Sequence, residues 1–149
     1  MSPQDRIGSV LQSKGHRLWS VNPGATVYQA IELMSEREIG ALPVISADGK
    51  LAGMLSERDY ARKIILQGRS SKDTAVREIM GTPVTVRLDD SVEHCMRLMT
   101  THRVRHLVAM DGSEVLGIVS IGDLVNWIIS AHEESIEHLK SYIAGAYPG

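Results

Sequence analysis

Apolar residues recur at helical spacing twice along the chain, at Val27, Ala30, Ile31 and Met34 and again at Val92, Cys95, Met96 and Met99. Each set predicts an amphipathic helix. Thr26 and Gln29 have the spacing of a capping box at the start of the first. A short apolar run follows each helix, "ALPVI" (41–45) or "HLVAM" (106–110). Next comes a turn carrying Asp-Gly at 48–49 or 111–112, and then a second run, "LAGML" or "VLGIV". Run, turn and run predict a hairpin in each place. A closing helix puts Tyr60, Ile64 and Ile65 on one face in the first case. In the second, Ile121, Leu124, Val125, Ile128 and Ile129 do the same. Upstream, "LWSV" (18–21) and "VTVR" (84–87) read as single strands, and "RIGSVLQ" and "AVREIM" as short introductory helices.

The two stretches are copies of one another. Residues 26–45 laid on 91–110, and 51–65 on 115–129, give nine identities in thirty-five pairs, among them Leu42/Leu107, Gly53/Gly117, Ser56/Ser120 and Asp59/Asp123. Most other pairs exchange one apolar residue for another. Each copy is therefore β-α-β-β-α, and the fold class is α+β. The copies span 5–67 and 75–131, joined by the polar linker "LQGRSSKDT" (66–74). A copy of about 60 residues is marginal alone, so the two are expected to cover each other's sheets with pseudo-twofold symmetry. A helical tail over 132–149 follows. The stretch "AHEESIEHLKSYI" (131–143), which runs into it, is amphipathic, and intramolecular packing and a dimer contact explain this equally well.

Composition narrows the function. The chain has 149 residues and 43% hydrophobic content, but no phenylalanine, so Ile, Leu, Val, Met and Ala must fill the core. A net charge of −2 gives no basic excess to draw nucleic acid or an anionic membrane. No apolar run approaches the roughly 18 residues of a membrane span. The polar start "MSPQDRIGSV" lacks an apolar signal core, and the single Cys95 rules out an intrachain disulfide framework. These features lead us to expect a soluble cytoplasmic protein.

Each copy carries Gly-x-x-Ser-x-x-Asp at its last strand-to-helix junction: Gly53, Ser56, Asp59 and Gly117, Ser120, Asp123. A helix start offers unpaired N–H groups to a phosphate. A carboxylate there can accept both hydrogens of a ribose cis-diol, and the glycine lets a ligand approach the backbone. Ser-x-x-Asp is also nearly a capping box, and the two readings are compatible. Arg58 stands at a helix start, where acids are favoured, so a cation there fits a visiting anion. Arg58 is equally at home on a solvated face, and Asp59 can pair with Lys63 one turn on. At the start of the first hairpin strand the copies differ, with Gly40 and Ala41 in one and Arg105 and His106 in the other. Their two sites are therefore not expected to be equivalent.

The duplicated β-α-β-β-α pattern with this junction motif resembles the CBS domain, and the pair is similar to a Bateman module. The stretch "RVRHLVAMDGSEVLGIVSIGDLV" (103–125) carries the resemblance most closely. It implies a regulatory module, not an enzyme, that binds adenine nucleotides (AMP, ADP, ATP, or a dinucleotide such as NAD) in clefts between paired domains. It also implies a homodimer that signals to a separate partner protein. The nucleotide-binding residues it implies are Ser56, Arg58, Asp59, Ala41, Ser120, Gly122, Asp123, Arg105 and His106. A nucleotide-hydrolysing enzyme and a scaffold with empty clefts are the alternatives. No nucleophile with its base can be assembled, and no His-Glu-x-x-His or Cys-x-x-Cys points to a metal. Cys95 aligns with Ala30 and reads as a small packed hydrophobe.

Overall fold

The structure is a computed structural model that describes residues 2, 4–15 and 17–131. Its elements run α1 (Ile7–Lys14), α2 (Val27–Arg37), β1 (Ala41–Ile45), β2 (Leu51–Ser56) and α3 (Glu57–Tyr60). The last widens into a π-helical turn at Ala61–Ile65, and a 3-10 turn follows at Val76–Glu78. Then come β3 (Thr85–Arg87), α4 (Val92–His102), β4 (His106–Asp111), β5 (Glu114–Ser120) and a helix over 121–131, here α5. The architecture is α+β, with two small sheets ordered β1-β2 and β3-β4-β5.

The duplication extends to fine detail. β1 pairs antiparallel with β2, Ala41 opposite Ser56, and β4 with β5, His106 opposite Ser120. Both hairpins shift register at the same place, between Val44 and Ile45 and between Ala109 and Met110. Both leading helices end on a non-glycine residue in the left-handed region, Glu38 at φ 54° and Arg103 at φ 53°. Thr26 and Gln29 close the expected capping box on α2.

Three local expectations are corrected. The strand at 18–21 is reduced to one parallel bridge, Val21 to Val44, whereas its counterpart forms β3 beside β4. The helix at 75–80 is a single 3-10 turn. Gly81 exchanges backbone hydrogen bonds with Met54 of β2 at 2.8 and 3.0 Å, and Pro83 follows, so the chain must be extended there. The apolar face after Tyr60 is split by the π-helical turn, whose extra residue rotates the register. Ile64 is buried, but Ile65 is 58% exposed. In α5, likewise, Leu124 is buried while Val125 and Ile129 are exposed. The amphipathic tail lies outside the described residues.

The introductory segments cross over. Ile7, Val10 and Leu11 of α1 join the core of the second half with Val92, Cys95 and Leu107. Val76 and Ile79 join the core of the first half with Val27, Leu42 and Leu55. A third cluster, Ala41, Met54, Val108 and Val115, lies where the two hairpins meet face to face. The repeated glycines serve this exchange. A Cβ on Gly53 would stand 2.6 Å from Met80 Sδ and 3.1 Å from the Gly81 carbonyl, and one on Gly117 would stand 3.2 Å from Leu11. The expectation that Gly53 and Gly117 leave room for a ligand is therefore corrected: they leave room for the crossing segment. Gly53→Ala is expected to cost about 1–3 kcal/mol by overpacking against the Met80 side chain and the Gly81 carbonyl. Gly117→Ala, which meets only the end of a leucine, should cost less. Urea unfolding of the two variants measures the difference.

Candidate functional site

Both junction motifs form the caps that their spacing allows. Ser56 Oγ accepts from the Asp59 amide at 3.2 Å, and Asp59 Oδ2 accepts from the Ser56 amide at 3.0 Å. Ser120 and Asp123 repeat this at 3.1 and 2.8 Å. Each carboxylate also holds a lysine. Lys63 lies 3.2 Å from Asp59 Oδ1 and donates to the Ile79 carbonyl of the crossing segment at 2.8 Å. Lys14, itself on the crossing helix α1, lies 2.6 Å from Asp123 Oδ2 and donates to the Ile118 carbonyl at 2.8 Å. The aspartate side chains are 20% and 22% exposed, so neither points into bulk water. With two lone pairs per oxygen, each keeps acceptor capacity for a ligand.

Each junction opens on a cleft completed by the other half. Asp59 lies in a cavity of about 350 Å³ with Ser56, Arg58, Arg103, Arg105 and His106, walled by Met54, Pro83, Val84 and Val104. Asp123 lies in a cavity of about 390 Å³ with Ser120, Lys14, Arg17, Glu38, Ala41 and His106, walled by Leu18, Trp19, Ile39 and Ile118. Both are of the size that holds a small molecule. The clefts meet at the start of β1 and β4, where the His106 ring would be 3.5 Å from a Cβ on Gly40. Eight of the nine residues singled out from the sequence thus line one cavity or the other. Gly122 lines neither; it sits in the first turn of α5 beside Ser120 Oγ. Sequence reasoning missed Lys14, Arg17, Glu38 and Arg103. The charge reversal between the aligned Glu38 and Arg103 is the signal that could have found the last two.

Electrostatically the clefts differ. Arg58 donates to the Arg103 carbonyl at 3.0 Å, fastening α3 of one half to the end of α4 in the other. Among the described residues, none of Arg58, Arg103 and Arg105 forms an ion pair. Burial holds the His106 imidazole below its ordinary value of 6.5, against the pull of Asp123, with Lys14 and Arg105 adding to the depression. His106 is accordingly neutral near pH 7. Folding keeps it neutral, so its contribution to stability is present above its unfolded pKa and lost as the pH falls through the lower folded value. Burial also pushes the Cys95 thiol up to about 12, which leaves it unreactive. Among the described residues, no three or more His, Cys, Asp or Glu gather into a metal-binding group, and no helix is long and apolar enough to cross a membrane.

Two copies of an α-β-β-α unit, exchanging their introductory segments around a pair of clefts, define a tandem two-domain module. The CBS-domain model matches residues 15–66 and 76–130, and the chain belongs to the CBS-domain family. It is 40% identical over 151 residues to the mitochondrial CBS domain-containing protein CBSX3 of Arabidopsis thaliana, a match covering 95% of this chain and 73% of that one. It is 36% identical to the CBS domain-containing protein YhcV of Bacillus subtilis, over 79% of this chain and 84% of the other. The solved structure of a protein with CBS domains from Burkholderia ambifaria superimposes with a TM-score of 0.79 at 46% identity, covering 84% and 94% of the two chains.

Proposed function

We propose that the chain is a sensor that binds an adenine nucleotide (AMP, ADP, ATP or NAD) between its halves and passes the bound state to a separate partner protein. One observation carries this reading: three arginines without an ion pair among the described residues converge on a single cleft that also holds Asp59. Three guanidinium groups brought into one cleft repel one another unless an anion joins them. A nucleotide meets the whole arrangement. Its ribose diol would donate to Asp59, its phosphates would accept from Arg58, Arg103 and Arg105, and its base would lie against Met54, Val84 and Val104.

Such a ligand touches both halves at once. It therefore favours the arrangement in which Asp59 of the first and Arg105 of the second are correctly spaced. A ligand shifts an equilibrium only by its differential affinity for the two states, and contacts to both halves supply that difference. Both aspartates are engaged in caps and lysine pairs, which suits holding a sugar better than proton transfer. A homodimer finds support in the exposed Ile65 and Ile129, at equivalent positions of the two copies and 58% and 48% exposed. The single cysteine is consistent with the cytoplasm, while the Arabidopsis relative is a mitochondrial protein.

Thermal unfolding with AMP, ADP, ATP and NAD tests the reading. A ligand at about 100 times its dissociation constant should stabilise by about 2.7 kcal/mol. Silence with all four would favour a scaffold with empty clefts. The half-buried His106 makes the binding pH-dependent. A bound phosphate favours the imidazolium, so affinity should rise as the pH falls from neutral into the lowered range where the free imidazole takes up its proton. Calorimetry across that range should show the rise in the native chain and its loss in His106→Gln.

A further inference from the structure

Asp59 is balanced by Lys63 and Asp123 by Lys14, so the remaining charges decide what each cleft accepts. In the Asp59 cleft, Arg58, Arg103 and Arg105 remain against Glu57. In the Asp123 cleft, Arg17 remains against Glu38. Among the described residues, one cleft thus carries an excess of two positive charges and the other carries none. The difference turns on one aligned position. Arg103 lines the first cleft and Glu38 the second, both closing a leading helix in the same left-handed conformation. The next aligned cleft position but one repeats the contrast, Arg105 against Gly40.

We propose that the two clefts divide their ligands by phosphate number: the Asp59 cleft takes a nucleoside di- or triphosphate, the Asp123 cleft a nucleoside or its monophosphate, with Glu38 and Arg103 as the specificity-determining pair. This rests on the nucleotide-binding reading above and adds to it a separate ligand class for each cleft. Each further phosphate brings negative charge that the arginines attract and Glu38 repels, while the sugar and base contacts stay alike in both. The device works by repulsion as much as attraction, as discrimination between related ligands commonly does.

Calorimetric titration with ATP and with adenosine tests it, one cleft at a time. Asp123→Ala leaves the Asp59 cleft, which should bind ATP at least about tenfold more tightly than adenosine. Asp59→Ala leaves the other cleft, which should show the opposite order. Glu38→Arg added to Asp59→Ala should raise ATP affinity about tenfold and leave adenosine unchanged, since both residues occupy the same backbone conformation. Arg103→Glu added to Asp123→Ala should lower ATP affinity by a similar factor. If an alanine variant folds poorly, asparagine in its place keeps the cap. The same ATP-to-adenosine ratio in both clefts overturns the division while the nucleotide reading stands. Failure of the unmodified chain to bind either compound overturns both.

Discussion

Asp59→Ala is expected to lower affinity for ATP by about a hundredfold. The carboxylate faces a cavity, is one-fifth exposed, and has lone pairs left after serving the Ser56 amide and Lys63. Two hydrogen bonds from a ribose diol to a charged acceptor are worth about 1.5 kcal/mol or more each, and 3 kcal/mol is about a hundredfold in affinity. The same substitution removes the reciprocal half of the α3 capping box, while Ser56 still caps through the Asp59 amide, so stability should fall by less than the loss of an N-cap residue. Asp59→Asn separates the two effects. It keeps a side-chain oxygen that can accept from the Ser56 amide, yet loses the charge. Calorimetry should rank native, Asn and Ala in falling affinity, while urea unfolding places Asn near native. Unchanged ATP affinity in the alanine variant would sink the assignment of this carboxylate to the sugar.

How much of this was legible in the sequence depends on the range of the interaction. The helices at Val27–Arg37 and Val92–His102, the two hairpins and both Ser-x-x-Asp caps are set by residues within a few positions of one another, and the periodicity displays them. So does the Asp59–Lys63 pair, one helical turn apart. The crossing of the introductory segments was not legible, because Leu11 and Met80 reach their places against Gly117 and Gly53 only through the packing of the halves. Aligning the copies gave those glycines a shared role, but the role is steric and not ligand-related. The composition of the clefts was hidden for the same reason. Arg58 and Arg105 stand in different copies, and only the face-to-face arrangement puts both with Asp59. Lys14 meets Asp123 across 109 positions, a pairing without any local pattern to announce it. Gly122, chosen for its neighbours in the chain, turned out to lie beside the cleft wall and outside the cavity.

Leu107→Ala is expected to cost about 2–5 kcal/mol, the usual penalty for a fully buried leucine. Leu107 is 0% exposed, and so is its counterpart Leu42 in the other core. The crossing segments make the consequence specific. Opening the second core releases α1, whose Lys14 leaves Asp123, and the third cluster, to which both hairpins contribute, loses Val108 and Val115. The first half would then stand with Met54 and Ala41 uncovered, at a size that rarely holds itself together. Damage in either core should therefore lower one shared transition. The chain carries its own reporters, one tryptophan on each side: Trp19 packs against the first core and Trp127 against the second, where its indole also donates to Asp5 at 3.0 Å. With the other tryptophan replaced by phenylalanine, each should report the same urea midpoint, in the native background and in Leu107→Ala alike. A Trp19 midpoint that stays put while the Trp127 midpoint falls would mean that the halves fold separately. Ligand contacts spanning them would then have no rigid body to act on.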